Sequence, residues 1–346
     1  MANMSVVPIQ ANHIGHILTW LPRKLWGGIN CLQENGPKYT AMRLLIHLHL
    51  MEETTKGYQY YEQLPPEKYE KELKLWFFRR TGETLDLEHP KTFNEKIQWL
   101  KLYDSTPIKT RLADKYLVRD WIKGKIGEEY LVPLLGVWDS FDEIDFDQLP
   151  VQFVLKANHG AGWNFIVKDK FQLDRKAAKK AFDIWLQKNY AFCSGLELHY
   201  MNIPPKIIAE KYLNQTDQIY DYKVMCFRGE AKFIWVDTDR FTLHKRAVFT
   251  KQWERIPVTI GKYPSVDCDI PCPDNIDKMI RFAELLSQPF ALVRVDFYEV
   301  SGHLYFGEMT FSSSSGTNKI VPKEFGKKMG DWIHLPPKSP IPVRQF

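Results

Sequence analysis

The chain of 346 residues lacks a long uninterrupted apolar run. Its best candidates near the start, Ile14-Gly-His-Ile-Leu-Thr-Trp20 and Leu25-Trp-Gly-Gly-Ile29, are split by Pro22-Arg23-Lys24, and each is shorter than a membrane span. No secretory signal is expected. Cysteine is scarce: five residues, at 31, 193, 226, 268 and 272, an odd number scattered through a large chain. That argues against a disulfide framework and fits a reducing compartment such as the cytoplasm. Cys268 and Cys272 could supply half a metal site, but no second Cys/His pair follows at zinc spacing. The net charge of +5 is too mild for nucleic acid, although it suits an anionic substrate. There is no Walker A spacing, no internal repeat, and no low-complexity segment beyond Ser312 to Ser315.

What is present is an ordinary globular composition, 44% hydrophobic and 26% charged, with aromatics at 14% including 11 Trp. Such enrichment suits carbohydrate stacking or a large core. The length exceeds a single core, so two or three subdomains are expected. Residues 1–105 read as a mostly helical region. Residues 14–29 mix Trp, Leu, Lys and Arg, as interfacial helices do, so peripheral contact with the inner face of a membrane is the alternative to packing on the rest of the protein. The apolar run at 41–51 carries Arg and His and reads as packing. Pro65-Pro66-Glu67 opens a helix, and Thr92-Phe-Asn-Glu95 has the form of a capping box. A helix is expected over 108–122, carrying Asp114-Lys115, followed by strands over 151–156 and 163–168 around a glycine loop at 158–162. Residues 106–213 and 214–346 form the second and third sections.

The most informative stretch is a hairpin near the end. Arg294 and Asp296 sit in one apolar strand, Ser301-Gly302 make the turn, and Glu308 and Thr310 lie on the return strand. Charges within such strands are costly unless paired or metal-bound. Two carboxylates and a hydroxyl suit Mg²⁺, which takes oxygen ligands. An Arg294–Asp296–Glu308 ion-pair network fits the same residues, and both readings stand. Lys156 ends a strand ahead of the glycine loop, where exposed N–H groups can form an anion-binding nest; an ordinary hairpin turn is the alternative. Asp237, Asp239 and Arg240 read as a strand-end cluster, and Lys223 and Arg228 surround a strand of the third section.

In order and spacing, Asp114-Lys115, Lys156 with its loop, Ile208-Ala-Glu210-Lys-Tyr-Leu213, Arg294, Asp296, Glu308 and Thr310 resemble the ATP-grasp superfamily of carboxylate–amine ligases. A narrower resemblance, to the TupA-like ATP-grasp group associated with bacterial surface-polysaccharide synthesis, is carried by Lys91-Thr-Phe-Asn-Glu-Lys-Ile-Gln-Trp-Leu-Lys-Leu-Tyr-Asp104, Leu112-Ala-Asp-Lys-Tyr, Lys156-Ala-Asn-His-Gly and Asp221-Tyr-Lys-Val. The resemblance implies an α+β fold in which two α+β subdomains clamp ATP behind a helical N-terminal region. It implies phosphate binding by Lys115, Lys156 and the loop glycines Gly160 and Gly162. Adenine would lie on Glu210, Lys211, Tyr212 and Leu213, and the ribose near Asp221, with Lys223 beside the nucleotide. One or two Mg²⁺ ions would be held by Asp296, Glu308 and Thr310, where the superfamily commonly has Asn in place of Thr310. Arg294, Lys156 and His159 would serve catalysis, and Ser312, Ser313 and Ser314 would meet substrate. The implied reaction joins a uronic-acid carboxylate to an amino acid or other amine through an acyl phosphate. Two other classes are carried alongside: a glycosyltransferase, for which Asp237-Thr-Asp239 and Asp267-Cys-Asp269 have the Asp-x-Asp spacing, and a nucleotide-binding module without catalysis.

Overall fold

The computed structural model of the chain describes residues 57–213, 220–238, 244–266 and 269–345. The segments at 14–29 and 41–51, and Asp239, Arg240, Asp267 and Cys268, lie outside the described residues. Contacts divide the chain into residues 1–57 and 58–346, and everything below concerns the second unit. Among the described residues no helix is long and apolar enough to cross a membrane.

Five helices come first: α1 (Gly57–Glu62), α2 (Tyr69–Thr81), α3 (Phe93–Tyr103), α4 (Pro107–Ala113) and α5 (Val118–Lys125). A short 3-10 turn, Pro66–Lys68, leads into α2, as the prolines there favour. The capping box forms: Thr92 Oγ1 accepts from Glu95 N at 3.3 Å, and Glu95 Oε2 accepts from Thr92 N at 2.8 Å. The expected helix over 108–122 is instead two helices with a break at Asp114. The Asp114 carboxylate accepts from the N–H of Tyr116 at 2.8 Å and of Leu117 at 3.3 Å, which offers the backbone a turn in place of a helical rung. Lys115 therefore stands in a turn, not on a helix.

A four-stranded antiparallel sheet follows, built from β1 (Leu134–Trp138), β2 (Phe153–Ala157), β3 (Asn164–Val167) and β4 (Ile207–Lys211) in the order β1-β4-β2-β3. Helix α6 (Arg175–Leu186) covers it, capped by the Asp174 side chain on Ala177 N. Phe153, Leu155 and Ala157 alternate inward against Ala178 and Phe182, which closes a separate small core.

The second sheet is built from β5 (Asp221–Phe227), β6 (Glu230–Thr238), β7 (Lys245–Phe249), β9 (Val293–Val300) and β10 (His303–Thr310), all antiparallel, in the order β10-β9-β5-β6-β7. A two-stranded ribbon pairs β8 (Thr259–Ile260) with β11 (Ile320–Val321). Helices α7 (Ile276–Ser287) and α8 (Lys323–Trp332) complete the unit. The larger core joins this sheet to the helical segment, bringing Ile97, Leu100 and Trp76 together with Phe233, Trp235, Val295 and Met329. The helices of residues 58–103 thus share one core with the C-terminal sheet. The β9–β10 turn has Ser301 at φ 52 and Gly302 at φ 73, the left-handed pair that suits a tight hairpin.

Helix α8 approaches the start of α3 so closely that a Cβ on Gly330 would lie 2.1 Å from the carbonyl oxygen of Lys91. Gly330→Ala should cost roughly 1–3 kcal/mol, since backbone cannot yield as a side chain does. A calorimetric melting temperature several degrees lower is expected, with little change in Gly326→Ala, where the nearest atom is 3.5 Å away.

Two buried histidines should make the protein acid-sensitive. Burial lowers His159 from 6.5 to about 4 and His199 from 6.5 to about 3, the latter helped by the charges of Lys109 and Lys101. Below pH 6.5 the unfolded chain takes up protons that the folded chain refuses, so stability is lost as pH falls from 6.5 towards 4 and 3. The melting temperature should drop across that window, and His199→Phe, whose Nε2 has no hydrogen-bond partner, should flatten the drop.

Candidate active site

The hairpin brings its charged residues onto one face of the five-stranded sheet. A bulge between Phe306 and Glu308 sets the register so that Glu308 faces Asp296 and Thr310 faces Arg294, while Lys223 of β5 faces Asp296 from the other side. Arg294 grips Asp296 with two bonds, Nε to Oδ1 at 2.6 Å and Nη2 to Oδ2 at 2.7 Å, and Nη2 also reaches Glu308 Oε1 at 2.8 Å. Lys223 Nζ donates to Asp296 Oδ2 at 2.9 Å and to Asp221. Thr310 Oγ1 donates to Glu308 Oε1 at 3.2 Å.

The ion-pair network expected from the sequence is thus formed, and Lys223 and Asp221 belong to it. Two cations, Arg294 and Lys223, face three carboxylates, Asp221, Asp296 and Glu308, which leaves an excess of one negative charge. Glu308 is the open member, with 37% of its side chain exposed against 2% for Asp296. Asp296 has both oxygens taken by Arg294 and Lys223, so Glu308, with the Thr310 hydroxyl beside it, is the carboxylate left open to a cation.

Two lysines approach from the other side. Lys115 N donates to Asn158 O at 3.1 Å, and its Nζ donates to Gly160 O, so the turn after α4 is stitched to the glycine loop. Burial lowers the Lys115 pKa, while the carboxylate of Glu308 pulls it back up. Lys115, Tyr200, Gly307 and Glu308 line one small cavity. Lys156 Nζ donates to Glu210 Oε2 at 2.6 Å, and Arg119 Nη1 holds the other oxygen at 3.1 Å while its Nη2 donates to Val132 O at 2.9 Å. Glu210, expected at the purine, here organises two cations. Lys211, Tyr212 and Leu213 close the strand and the connection after it, half-buried or exposed.

The glycine loop is anchored through its first half. Asn158 Oδ1 accepts from Lys206 N at 2.6 Å, and Asn158 Nδ2 donates to Pro204 O at 3.0 Å. A Cβ on Gly160 would meet Trp163 at 2.6 Å and Tyr190 at 2.7 Å, so only glycine lets the loop settle on those rings. Ala161 and Gly162 are exposed, and Gly162 has φ 75. His159 does not fit the expected contact with acceptor or phosphate. It is 2% exposed, its Nδ1 pairs with Asn158 Oδ1 at 3.2 Å and its Nε2 with Trp185 O at 3.1 Å.

Past β10, Ser312 donates to Glu197, Ser313 is buried, and Ser314 is exposed. Ser315 Oγ donates to Ser194 O at 2.8 Å and accepts from Lys101 Nζ at 3.0 Å. Burial pushes Lys101 down to about 7 and Glu197 up to about 7, each opposed by the charge of the other.

Sequence reasoning missed Arg119, Tyr200, Lys101 and Glu197. One signal existed for Lys101: it is the single charge between Leu100 and Leu102 in a helix whose second half is buried throughout. Asp237, the first acid of an Asp-x-Asp, is not a strand-end residue in a solvated turn. Arg246 holds both its oxygens, at 2.6 and 2.9 Å. Burial raises the Asp237 carboxyl, but Arg246 outweighs that and brings it down to about 2. Arg228 lies in the β5–β6 turn beside His334 at 3.2 Å.

No curated protein matches this chain. Among solved structures, D-alanine–D-alanine ligase from Bacillus anthracis complexed with ATP is similar at 16% identity and a TM-score of 0.37, over 64% of this chain and 63% of that one. L-amino acid ligase from Bacillus licheniformis is similar at 12% identity and a TM-score of 0.38, over 59% of this chain and 44% of that one. Biotin carboxylase from Campylobacter jejuni is similar at 15% identity and a TM-score of 0.35, over 65% and 47%. The chain spans less than two thirds of the length of each of these proteins. The family model described as TupA-like ATPgrasp matches residues 95–334, the span that runs from α3 through both sheets to the end of α8. The chain therefore belongs to the TupA-like ATP-grasp family.

Proposed function

We propose that the protein is an ATP-dependent, ADP-forming ligase. It joins the carboxylate of a uronic-acid-containing glycan, or of its nucleotide- or lipid-linked precursor, to an amino acid or other amine in the making of a capsule or another surface polysaccharide. The observation that carries the reading is a small cavity shared by Lys115 and Glu308, which brings a cation from the loop side against the open carboxylate of the β9–β10 hairpin. ATP would supply the phosphoryl group that turns an unreactive carboxylate into an acyl phosphate, and the amine then displaces phosphate.

The protein's part is positioning and charge neutralisation. Each lysine ammonium has three donors, so Lys156 can keep Glu210 and Lys115 can keep Gly160 O while the remaining N–H groups hold phosphate oxygens. Glu210 to Leu213 would line the purine and Asp221 the ribose, and Gly160 and Gly162 would give backbone N–H groups to phosphate. Asp296, Glu308 and Thr310 would hold Mg²⁺, which neutralises phosphate charge. Arg294, already fixed by two carboxylates, would steady the charge that develops at the transferring group. His159 would keep the loop in shape as a neutral ring, and Ser314, the exposed residue of the serine turn, would meet the acceptor.

The test is product analysis with a panel of uronic acids and amino acids. ADP and phosphate should appear only when carboxylate and amine are both present, and a labelled carboxylate oxygen should turn up in the phosphate. AMP with pyrophosphate would overturn phosphoryl transfer, and sugar transfer from a nucleotide sugar without ADP would move the protein to the glycosyltransferase class.

Glu308→Gln should separate chemistry from folding. The shape is kept, a charged ligand is lost, and the side chain is partly exposed, so turnover should fall by orders of magnitude with little change in melting temperature. A large fall in melting temperature with turnover intact would make Glu308 a structural partner of Arg294. Arg294→Ala is the poorer probe, because stripping a partner from a buried carboxylate costs about 3–5 kcal/mol by itself.

A further inference from the structure

The turn after β10 is strained. Ser314 and Ser315 have φ 50 and 51, followed by Gly316 at φ 67, three consecutive left-handed residues of which two carry a Cβ. The left-handed region is unfavourable for a residue with a Cβ. The conformation persists only where the surroundings over-determine it. Here they do so from far away in the chain. Gln98 Nε2 donates to Ser315 O at 2.9 Å and to Gly316 O at 3.0 Å. Lys101 Nζ finds three acceptors, Gln98 Oε1 at 2.6 Å, Ser315 Oγ at 3.0 Å and Ser315 O at 3.3 Å. At the other end Glu197 accepts from Ser312 Oγ. A Cβ on Gly316 would lie 2.5 Å from Gln98 Nε2, so helix and turn touch directly.

We propose that Gln98 and Lys101 of α3 are positioning residues for the acceptor side of the site, holding the serine turn in the strained form that presents Ser314. The proposal rests on the reading above that this turn meets the acceptor. A buried ammonium is an expensive way to fill space, and a hydrophobic residue there would pack at lower cost. Lys101 is 2% exposed, with Nζ 4.5 Å from the Trp76 ring centre. What a hydrophobic residue lacks is three N–H donors for three acceptors. Ser314 is the one exposed residue between 311 and 316; its Oγ accepts from Asn318 Nδ2 at 3.0 Å, which leaves its O–H to donate to an acceptor substrate. The helix ahead of the two sheets is on this account part of the acceptor site.

The experiment compares Lys101→Met, Gln98→Leu and the double variant Lys101→Met/Glu197→Gln in the full chain. Hydrogen exchange of segment 312–317, measured without nucleotide, should be faster by about tenfold or more in both single variants, the equivalent of one lost charge-assisted bond. Affinity for a non-hydrolysable ATP analogue with Mg²⁺ should stay unchanged. The apparent KM for the amine should rise while that for ATP does not. In the double variant the buried Glu197 is no longer left without its countercharge, so the melting temperature should recover but the exchange of the turn should not. Recovery of both would overturn the proposal, because Lys101 would then only neutralise Glu197. Wild-type exchange rates at 312–317 in both single variants would overturn it too. Gln98→Leu keeps every charge, so the comparison stands even if Lys101→Met fails to fold. A wild-type protein that binds no ATP analogue would sink the ligase reading, while the exchange data would still decide the grip.

Discussion

The guanidinium of Arg294 between the carboxylates of Asp296 and Glu308 is the contact on which the site is built. A sheet face that carries Asp221, Lys223, Arg294, Asp296 and Glu308 can be covered by protein only if nearly every charge has a partner. The antiparallel register supplies the partners. Lys223, Asp296 and Glu308 stand side by side on three neighbouring strands, and the bulge before Glu308 puts it opposite Asp296. A one-residue slip would send these charges to the opposite face, among the apolar residues of α7. The same network is slightly overloaded with negative charge at its open end, which is where a cation is wanted.

The cations on the opposing side are held in the same manner. Glu210 takes Lys156 on one oxygen and Arg119 on the other, so the strand that ends the four-stranded sheet fixes two positive groups at once. Lys115 is fixed by backbone, through Asn158 O and Gly160 O, not by a carboxylate. Asn158 in turn is tied to Pro204 and Lys206. The glycine loop is therefore tied down through its first half, with Ala161 and Gly162 exposed at its tip. Burial against its aromatic bed, where Trp163 stacks on Trp185 at 6.2 Å and meets Tyr190 edge-on at 5.0 Å, lowers the pKa of His159, as does the charge of Lys115.

Much of this was legible in the residues themselves. The β9–β10 hairpin follows from alternation around a Ser-Gly turn, the start of α3 from reciprocal capping, and the Lys156 strand and its loop from an apolar run ended by glycines. These are local features, set by backbone geometry and side chains a few positions apart, and they carry most of the candidate site. The family resemblance added roles to residues that spacing alone could only mark as costly. The break that places Lys115 in a turn was not legible, because Asp114-Lys115-Tyr116 has no helix breaker; the Asp114 carboxylate takes the N–H groups of that stretch, and Asn158 takes the N–H of Lys115 itself.

The sequence by itself determined which strands carry charge, where the tight turns fall and which helix ends are capped, because each depends on neighbours along the chain. Only the tertiary structure decided partnership. Glu210 meets Arg119 across 91 positions, Gln98 meets Ser315 across 217, and the Lys101 ammonium meets Ser315 across 214. Local sequence marks Lys101 only as a charge between two leucines and does not say that it will be buried against a strained turn. That difference arises when two distant segments enter one core and the polar groups they bring must satisfy one another, since water no longer can.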